Sequence, residues 1–168
     1  MAECHGGKLF VDMLEREGVR HIFMLSGESL LPIIDACIDS PISIIHTRHE
    51  ESAGYMADAY ARVTGGLGVV GVTQGPGSTN IFTALMTANL DASPMLCFAG
   101  RLNQGMMHRL AGQELDSANA AHPYVKWAAT VSDGARIPEL TASAIRHSMT
   151  GIPGATFLAF ERDTLHQR

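Results

Sequence analysis

The sequence predicts an α/β protein built as a flavodoxin-like, doubly wound, mostly parallel sheet of about six strands with helices on both faces. Three observations predict it. Short β-branched runs alternate with one-faced helical runs along the whole chain, and right-handed crossovers then lay the strands side by side in parallel. The run from Leu67 to Thr73 carries Val69, Val70 and Val72 without alternation, the mark of a strand covered on both faces. The chain has 168 residues, enough for one domain that buries roughly two-thirds of its unfolded surface. With no internal repeat, low-complexity tract or linker, residues 1–168 read as a single domain.

Leu9, Phe10, Met13 and Leu14 share one face of a first helix, and Gly18 is placed to stop it. His21 to Leu25 follows as a buried strand. Ser26-Gly27-Glu28-Ser29 turns into a helix over Leu30 to Ile38, where Pro32 is tolerated because it lies in the first turn. Pro41 opens the run that reaches Ile44 and Ile45, a second strand. After Gly65-Gly66 comes the central strand Leu67 to Thr73, then the turn Gln74 to Asn80. A helix carrying Ile81, Leu85 and Ala88 ends near Asp91, and Pro94 to Ala99 is another strand. Gly100 to Pro123 is too irregular to assign throughout, and long irregular loops in compact domains are often functional. Lys126 to Val131 is a strand, Ile137, Leu140, Ala144 and Ile145 share a helix face, and Ala155 to Phe160 is the last strand.

The stretch Ile44 to Gly65 organises the rest. Thr47 to Glu50 form a polar corner, and Ala53, Met56, Ala57, Tyr60 and Ala61 then recur at the spacing of a one-faced helix. Glu50 therefore stands at a helix N-terminus. Spacing alone makes Glu50 and Glu51 ordinary first-turn acids favoured by the helix dipole.

Composition narrows the function. Hydrophobic residues make up 46% of the chain, charged residues 17%, and the net charge is −5. A low charge fraction points to an oligomer, and the negative balance argues against nucleic acid. Cys4, Cys37 and Cys97 have neither metal-ligand nor Cys-x-x-Cys spacing and read as reduced thiols of a cytoplasmic protein. MAECHGGKLF lacks the apolar core of a signal peptide, and no apolar stretch approaches the ~20 residues of a membrane span. His46 and His49 have no third ligand at zinc spacing, so no metal is expected on this chain.

In a doubly wound sheet, ligands sit beyond the carboxyl ends of the strands, and Ser26-Gly27, His49-Glu50 and Gln74 to Asn80 all fall there. Gly75-x-Gly77-x-x-Asn80 lies where a dinucleotide fingerprint would. Its last glycine is Asn80, however, and no strand ends in an acid about twenty residues on. A phosphate loop would need Gly-Lys-Ser/Thr, which is absent. On the residues alone, a tight turn in which glycine and proline meet backbone demands explains the run equally well.

Particular residues carry a resemblance. Arg48-His49-Glu50, Met56-Ala57-Asp58, Tyr60-Ala61-Arg62 and Gly65 resemble the corresponding run in the pyrimidine-binding (PYR) domain of thiamine-diphosphate enzymes. The branch is that of acetohydroxyacid synthase, benzaldehyde lyase and oxalyl-CoA decarboxylase. Thr73 to Asn80 is similar to that family's Ser-Gly-Pro-Gly-Ala-Thr-Asn loop, and Gln113-Glu114 to its Phe-Gln-Glu. Pro94, Lys126 and Gly154 to Asp163 also stand at the family's positions, so the likeness covers nearly the whole chain. There are departures. Phe23-Met24-Leu25-Ser26-Gly27 replaces Phe-Gly-Ile-Pro-Gly, Gly112 replaces the phenylalanine before the glutamine, and Ser29 takes a variable, pocket-facing place.

The resemblance implies that Glu50 is catalytic. A carboxyl group hydrogen-bonded to the cofactor's pyrimidine ring promotes the tautomer that removes the thiazolium proton. It assigns Ser26, Gly27, Glu50, Thr73, Pro76, Gly77, Asn80 and Gln113 to the pyrimidine half of thiamine diphosphate. The implied reaction makes or breaks a carbon–carbon bond next to a carbonyl, on small-molecule 2-oxo acids, 2-hydroxy ketones or acyl-CoA relatives. Magnesium and the diphosphate would be held by a separate domain through Gly-Asp-Gly, which this sequence lacks. Half a site is therefore expected, completed by a diphosphate-binding domain on another chain or on further sequence beyond Arg168. The chain is then a subunit of a split enzyme, the N-terminal part of a longer one, or a free-standing, non-catalytic interaction or regulatory module of the same fold. A homodimer is expected, with Ala53, Ala57 and Ala61 letting a neighbouring helix approach or, equally, packing on the domain's own sheet.

Overall fold

The structure, a computed structural model, describes residues 5–167. Within these residues six strands, β1 (His21–Met24), β2 (Ser43–His46), β3 (Gly68–Val72), β4 (Met95–Gly100), β5 (Trp127–Val131) and β6 (Ala155–Phe160), form one sheet in the order β2-β1-β3-β4-β6-β5. Every pairing is parallel. The flavodoxin-like expectation holds. β3, β4 and β6 are buried at every residue, as their unbroken apolar runs require, whereas the edge strand β2 is largely exposed.

Helices α1 (Gly6–Arg16), α2 (Leu31–Ala36) and α7 (Ile137–Met149) cover one face. There Phe10 is wedged edge-on against Phe98 at 4.9 Å and Phe160 at 5.0 Å between ring centroids. Gly18, at φ 77°, ends α1 as its position predicts. The opposite face carries α3 (Glu50–Thr64), α5 (Phe82–Leu90) and α6 (Ser117–Ala121). Here the side chains are small: Ala53, Ala57, Ala84 and Ala88 are all fully buried. A Cβ on Gly54 would stand 2.5 Å from that of Ala84, so α3 and α5 approach to a distance that only glycine permits at this point.

Several expectations change. Ala53, Ala57 and Ala61 pack into the protein's own core, which removes them as the seam for a second chain, and Met56 points outward, 45% exposed. The helix expected over Leu30 to Ile38 is a 3-10 turn at Glu28–Leu30 followed by α2, and Ile38 is exposed beyond its end. The stretch from Gly100 to Pro123 is not wholly irregular. It ends in α6, whose N-cap Asp116 accepts from Asn119 N. A short helix after β6, α8 (Arg162–His166), also had no periodic signal in five residues. Cys37 and Cys97 are buried free thiols, and burial pushes Cys37 up to about 11; the expectation for Cys4 lies outside the described residues.

Strand order decides where ligands can gather. From β1 the chain steps outward to β2, then returns across β1 to β3, so the loops after β1 and β3 leave the sheet edge in opposite directions. Loops after β1, β2 and β3 therefore meet at this switch point.

Candidate functional site

Glu50 is the first residue of α3 and is only 6% exposed. Two neighbours build its corner. Thr47 ties the loop to the end of β1, its N–H donating to Met24 O at 2.9 Å, while its hydroxyl donates to His49 O at 2.9 Å. His49 is the N-cap, its Nδ1 accepting from Glu51 N at 3.2 Å. The positive end of α3 favours negative charge at this corner.

The loop after β3 supplies the opposite wall. Gly75 (φ 54°, ψ −109°) turns the chain into the short helix α4 (Pro76–Asn80), with Pro76 at its start. Asn80, at the end of α4, donates from Nδ2 to Glu50 Oε2 at 3.1 Å. A Cβ on Gly77 would lie 3.4 Å from Glu50 Oε1 and 2.9 Å from Thr73 Cγ2, so Gly77 keeps the helix close to the carboxylate. Oε1 has no hydrogen-bond donor among the described residues.

The loop after β1 joins through Thr73. Its hydroxyl lies 3.0 Å from Ser29 Oγ, and a Cβ on Gly27 would stand 2.3 Å from Thr73 Oγ1. Ser29 is buried and packs on Gly100, which corrects the expectation that it faces an open pocket. Gln113 arrives from the long loop after β4. Its Oε1 accepts from Gln74 Nε2 at 3.2 Å, and a Cβ on Gly75 would meet Gln113 O at 2.5 Å.

Thus Gly27, Glu50, Thr73, Gly77 and Asn80 form one contiguous set, with Pro76 in the same helix turn and Gln113 lying over the preceding glycine. Ser26 is exposed in the β1 loop and takes part in none of these contacts. Sequence reading left out Thr47, Gln74 and Ser29 as partners. Their roles depend on meeting residues from other strands, a relation without a local signal. Beside the corner, Leu25, His46, Thr47 and Arg48 line a cleft of about 400 Å³.

Chemically, a carboxylate with one oxygen held and the other free of protein donors can share a proton with a ring nitrogen of a flat heterocycle. His49 is already engaged as a cap. Among the described residues, no group of three or more His, Cys, Asp or Glu side chains is gathered to hold a metal, and no helix is long and apolar enough to cross a membrane.

Comparison with known proteins points the same way. The family profile described as the thiamine pyrophosphate enzyme, N-terminal TPP binding domain, matches residues 4–120. The chain is 40% identical over 159 residues to the mitochondrial acetolactate synthase catalytic subunit of Aspergillus candidus, covering 94% of this chain and 23% of that protein. It is 38% identical over 167 residues to acetolactate synthase of Bacillus subtilis, covering 99% and 29%. It is 37% identical over 162 residues to 2-hydroxyacyl-CoA lyase 2 of Danio rerio, covering 96% and 26%. The chain thus spans about a quarter of the length of these relatives.

Proposed function

Because the chain belongs to the family of thiamine pyrophosphate enzyme N-terminal, TPP-binding domains, we propose that residues 1–168 are one pyrimidine-binding domain, half of a thiamine-diphosphate-dependent active centre. The reaction is the making or breaking of a carbon–carbon bond beside a carbonyl, on 2-oxo acids, 2-hydroxy ketones or acyl-CoA relatives. The observation that carries this reading is the buried Glu50, with Asn80 on Oε2 and with Oε1 free beside Gly77.

The donor set fits the pyrimidine half of the cofactor. Glu50 Oε1 would meet a ring nitrogen and hold or release the proton shared there. Asn80 fixes the carboxylate plane, and Thr73, Pro76 and Gly77 limit the gap beside it. Gly27, with Ser26 at the rim, closes the β1 side, and Gln113 borders the site from the loop after β4. When bound, thiamine diphosphate supplies the nucleophilic carbon, and the protein orients and tunes it.

Magnesium and the diphosphate belong, in this reading, to a diphosphate-binding domain on another chain or on further sequence of the same protein. A second copy of this chain is a further proposed partner. With the alanines of α3 turned inward, the outward apolar residues of α3 and α5, among them Tyr55, Met56, Val63 and Leu90, form the face offered to it. Buried, unpaired Cys37 and Cys97 suit a cytoplasmic setting.

The test is turnover of the completed enzyme carrying Glu50→Gln. Loss of proton sharing should lower kcat by about a hundredfold or more. Turnover within about threefold of the unsubstituted enzyme would overturn the role of Glu50.

A further inference from the structure

The part of the loop after β4 from His108 to Glu114 is organised around one carboxylate. Within six residues, three that carry a Cβ adopt left-handed backbone conformations: His108 (φ 63°), Leu110 (φ 55°) and Gln113 (φ 65°). Each is disfavoured for such residues, so something must hold them together. Apolar packing does not, since Leu110 is 98% exposed and Met106 is 44% exposed. The Glu114 carboxylate does: it accepts from the backbone N–H groups of His108 at 2.5 Å, Ala111 at 3.1 Å and Arg109 at 3.3 Å. Glu114 N in turn donates to Ala111 O at 3.0 Å. The next residue back is Gln113, whose backbone lies over Gly75 and whose side chain meets Gln74.

We propose that Glu114 is a positioning residue: by gathering the N–H groups of His108, Arg109 and Ala111, its carboxylate holds Gln113 in place over Gly75, beside the Glu50 corner. The value of this placement for catalysis rests on the proposed role of Gln113 at the cofactor; the placement itself does not. The loop is anchored at its root by Arg101, which reaches Thr130 Oγ1 at 3.1 Å and Asp116 Oδ1 at 3.7 Å. The titratable side chain that acts on Glu114 is His108, on its own loop. From the β3 side the loop is met at Gln113, by the uncharged Gln74 and Gly75. The N–H of His108, with those of Ala111 and Arg109, holds the Glu114 carboxyl below the ordinary glutamate value, so the latch is closed at neutral pH and opens only in acid.

The experiment is nuclear magnetic resonance of the ¹⁵N-labelled chain, titrated from neutral pH into acid. The backbone amides of His108, Arg109 and Ala111 and the side-chain amides of Gln74 and Gln113 should move together, with one midpoint below the ordinary 4.5. Glu114→Ala should abolish that shared transition and speed exchange of the three backbone amides by about tenfold or more. Glu114→Gln, which keeps one acceptor oxygen, should restore part of the protection. Signals of β4 and β6 should stay unchanged in both variants. Separate midpoints, or amides in Glu114→Ala that exchange as before, overturn the proposal, as does a shared backbone transition that leaves the Gln113 side chain still. A shared transition together with near-normal turnover of the completed enzyme bearing Gln113→Ala would uphold the latch and overturn the role given to Gln113.

Discussion

Asn80 Nδ2 lies 3.1 Å from Glu50 Oε2, joining the end of α4 to the start of α3 across thirty residues of sequence. The contact leaves a buried carboxylate with one oxygen satisfied and fixes which oxygen faces the gap beside Gly77. Asn80→Ala should therefore cost about 2 kcal/mol of stability by removing a donor to a buried carboxylate. Asn80→Asp should cost more at neutral pH, because two carboxylates then compete for one place. Urea denaturation at neutral pH checks both; an alanine variant less stable than the aspartate one would contradict the geometry.

Ser29 and Gly100 make a second long-range contact, one of close packing. A Cβ on Gly100 would stand 2.0 Å from Ser29 Oγ and 2.3 Å from Ser29 Cβ, and both residues are buried. Gly100→Ala should destabilise by about 2–3 kcal/mol through overpacking. Adding Ser29→Gly removes both obstructing atoms and should recover much of the loss. A double variant no more stable than Gly100→Ala would show that the strain lies elsewhere.

Arg101 and Glu161, at the ends of β4 and β6, form a buried pair with Nη1 and Oε1 3.9 Å apart. Burial pushes the Glu161 carboxyl above its ordinary 4.5, against the pull of Arg101, with Asp163 adding to the rise. Folding therefore strengthens proton binding at Glu161. Its contribution is fully present below the unfolded value near 4.5 and is lost as pH rises through the higher folded value. Glu161→Gln should flatten the stability profile in that window. Arg101→Met leaves the acid buried without its partner and should cost about 3 kcal/mol at neutral pH, readable in the denaturation midpoint. Equal losses from the two substitutions at neutral pH would count against this assignment.

Lys126 caps the C-terminal end of α7. Its Nζ donates to the carbonyls of His147 at 2.6 Å, Thr150 at 2.9 Å and Ile152 at 2.6 Å. A cation on the last carbonyls of a helix is favourable, and Lys126→Met should cost about 1 kcal/mol. Hydrogen exchange should quicken at the end of α7 and in the following turn while β3 keeps its protection. An unchanged exchange pattern there would mean that the carbonyls find solvent equally good.

Much of this protein is local. Val69, Val70 and Val72 announce a strand buried on both faces, Gly18 and Gly65 end the helices they follow, and the acidic first turn after His49 starts α3 where the polar corner predicts. Periodicity and turn chemistry act over a few residues, so they can be read without knowing what lies across the sheet. Gly75, Gly77, Glu50 and Gln113 were likewise legible, since their residue types and order carry the family resemblance.

What only the tertiary structure decided is who meets whom. Whether Ala53, Ala57 and Ala61 face a second chain or their own sheet was ambiguous in sequence, and packing with α5 turned them inward. Ser29 passed from a pocket wall to a buried partner of Thr73 because β4 brings Gly100 against it. Asp116, inside the stretch too irregular to assign from sequence, caps α6. Each outcome is a contact between segments far apart in the chain, fixed by strand order and by the room that small residues leave. Such distances are set by the whole sheet at once, and no window of sequence contains them.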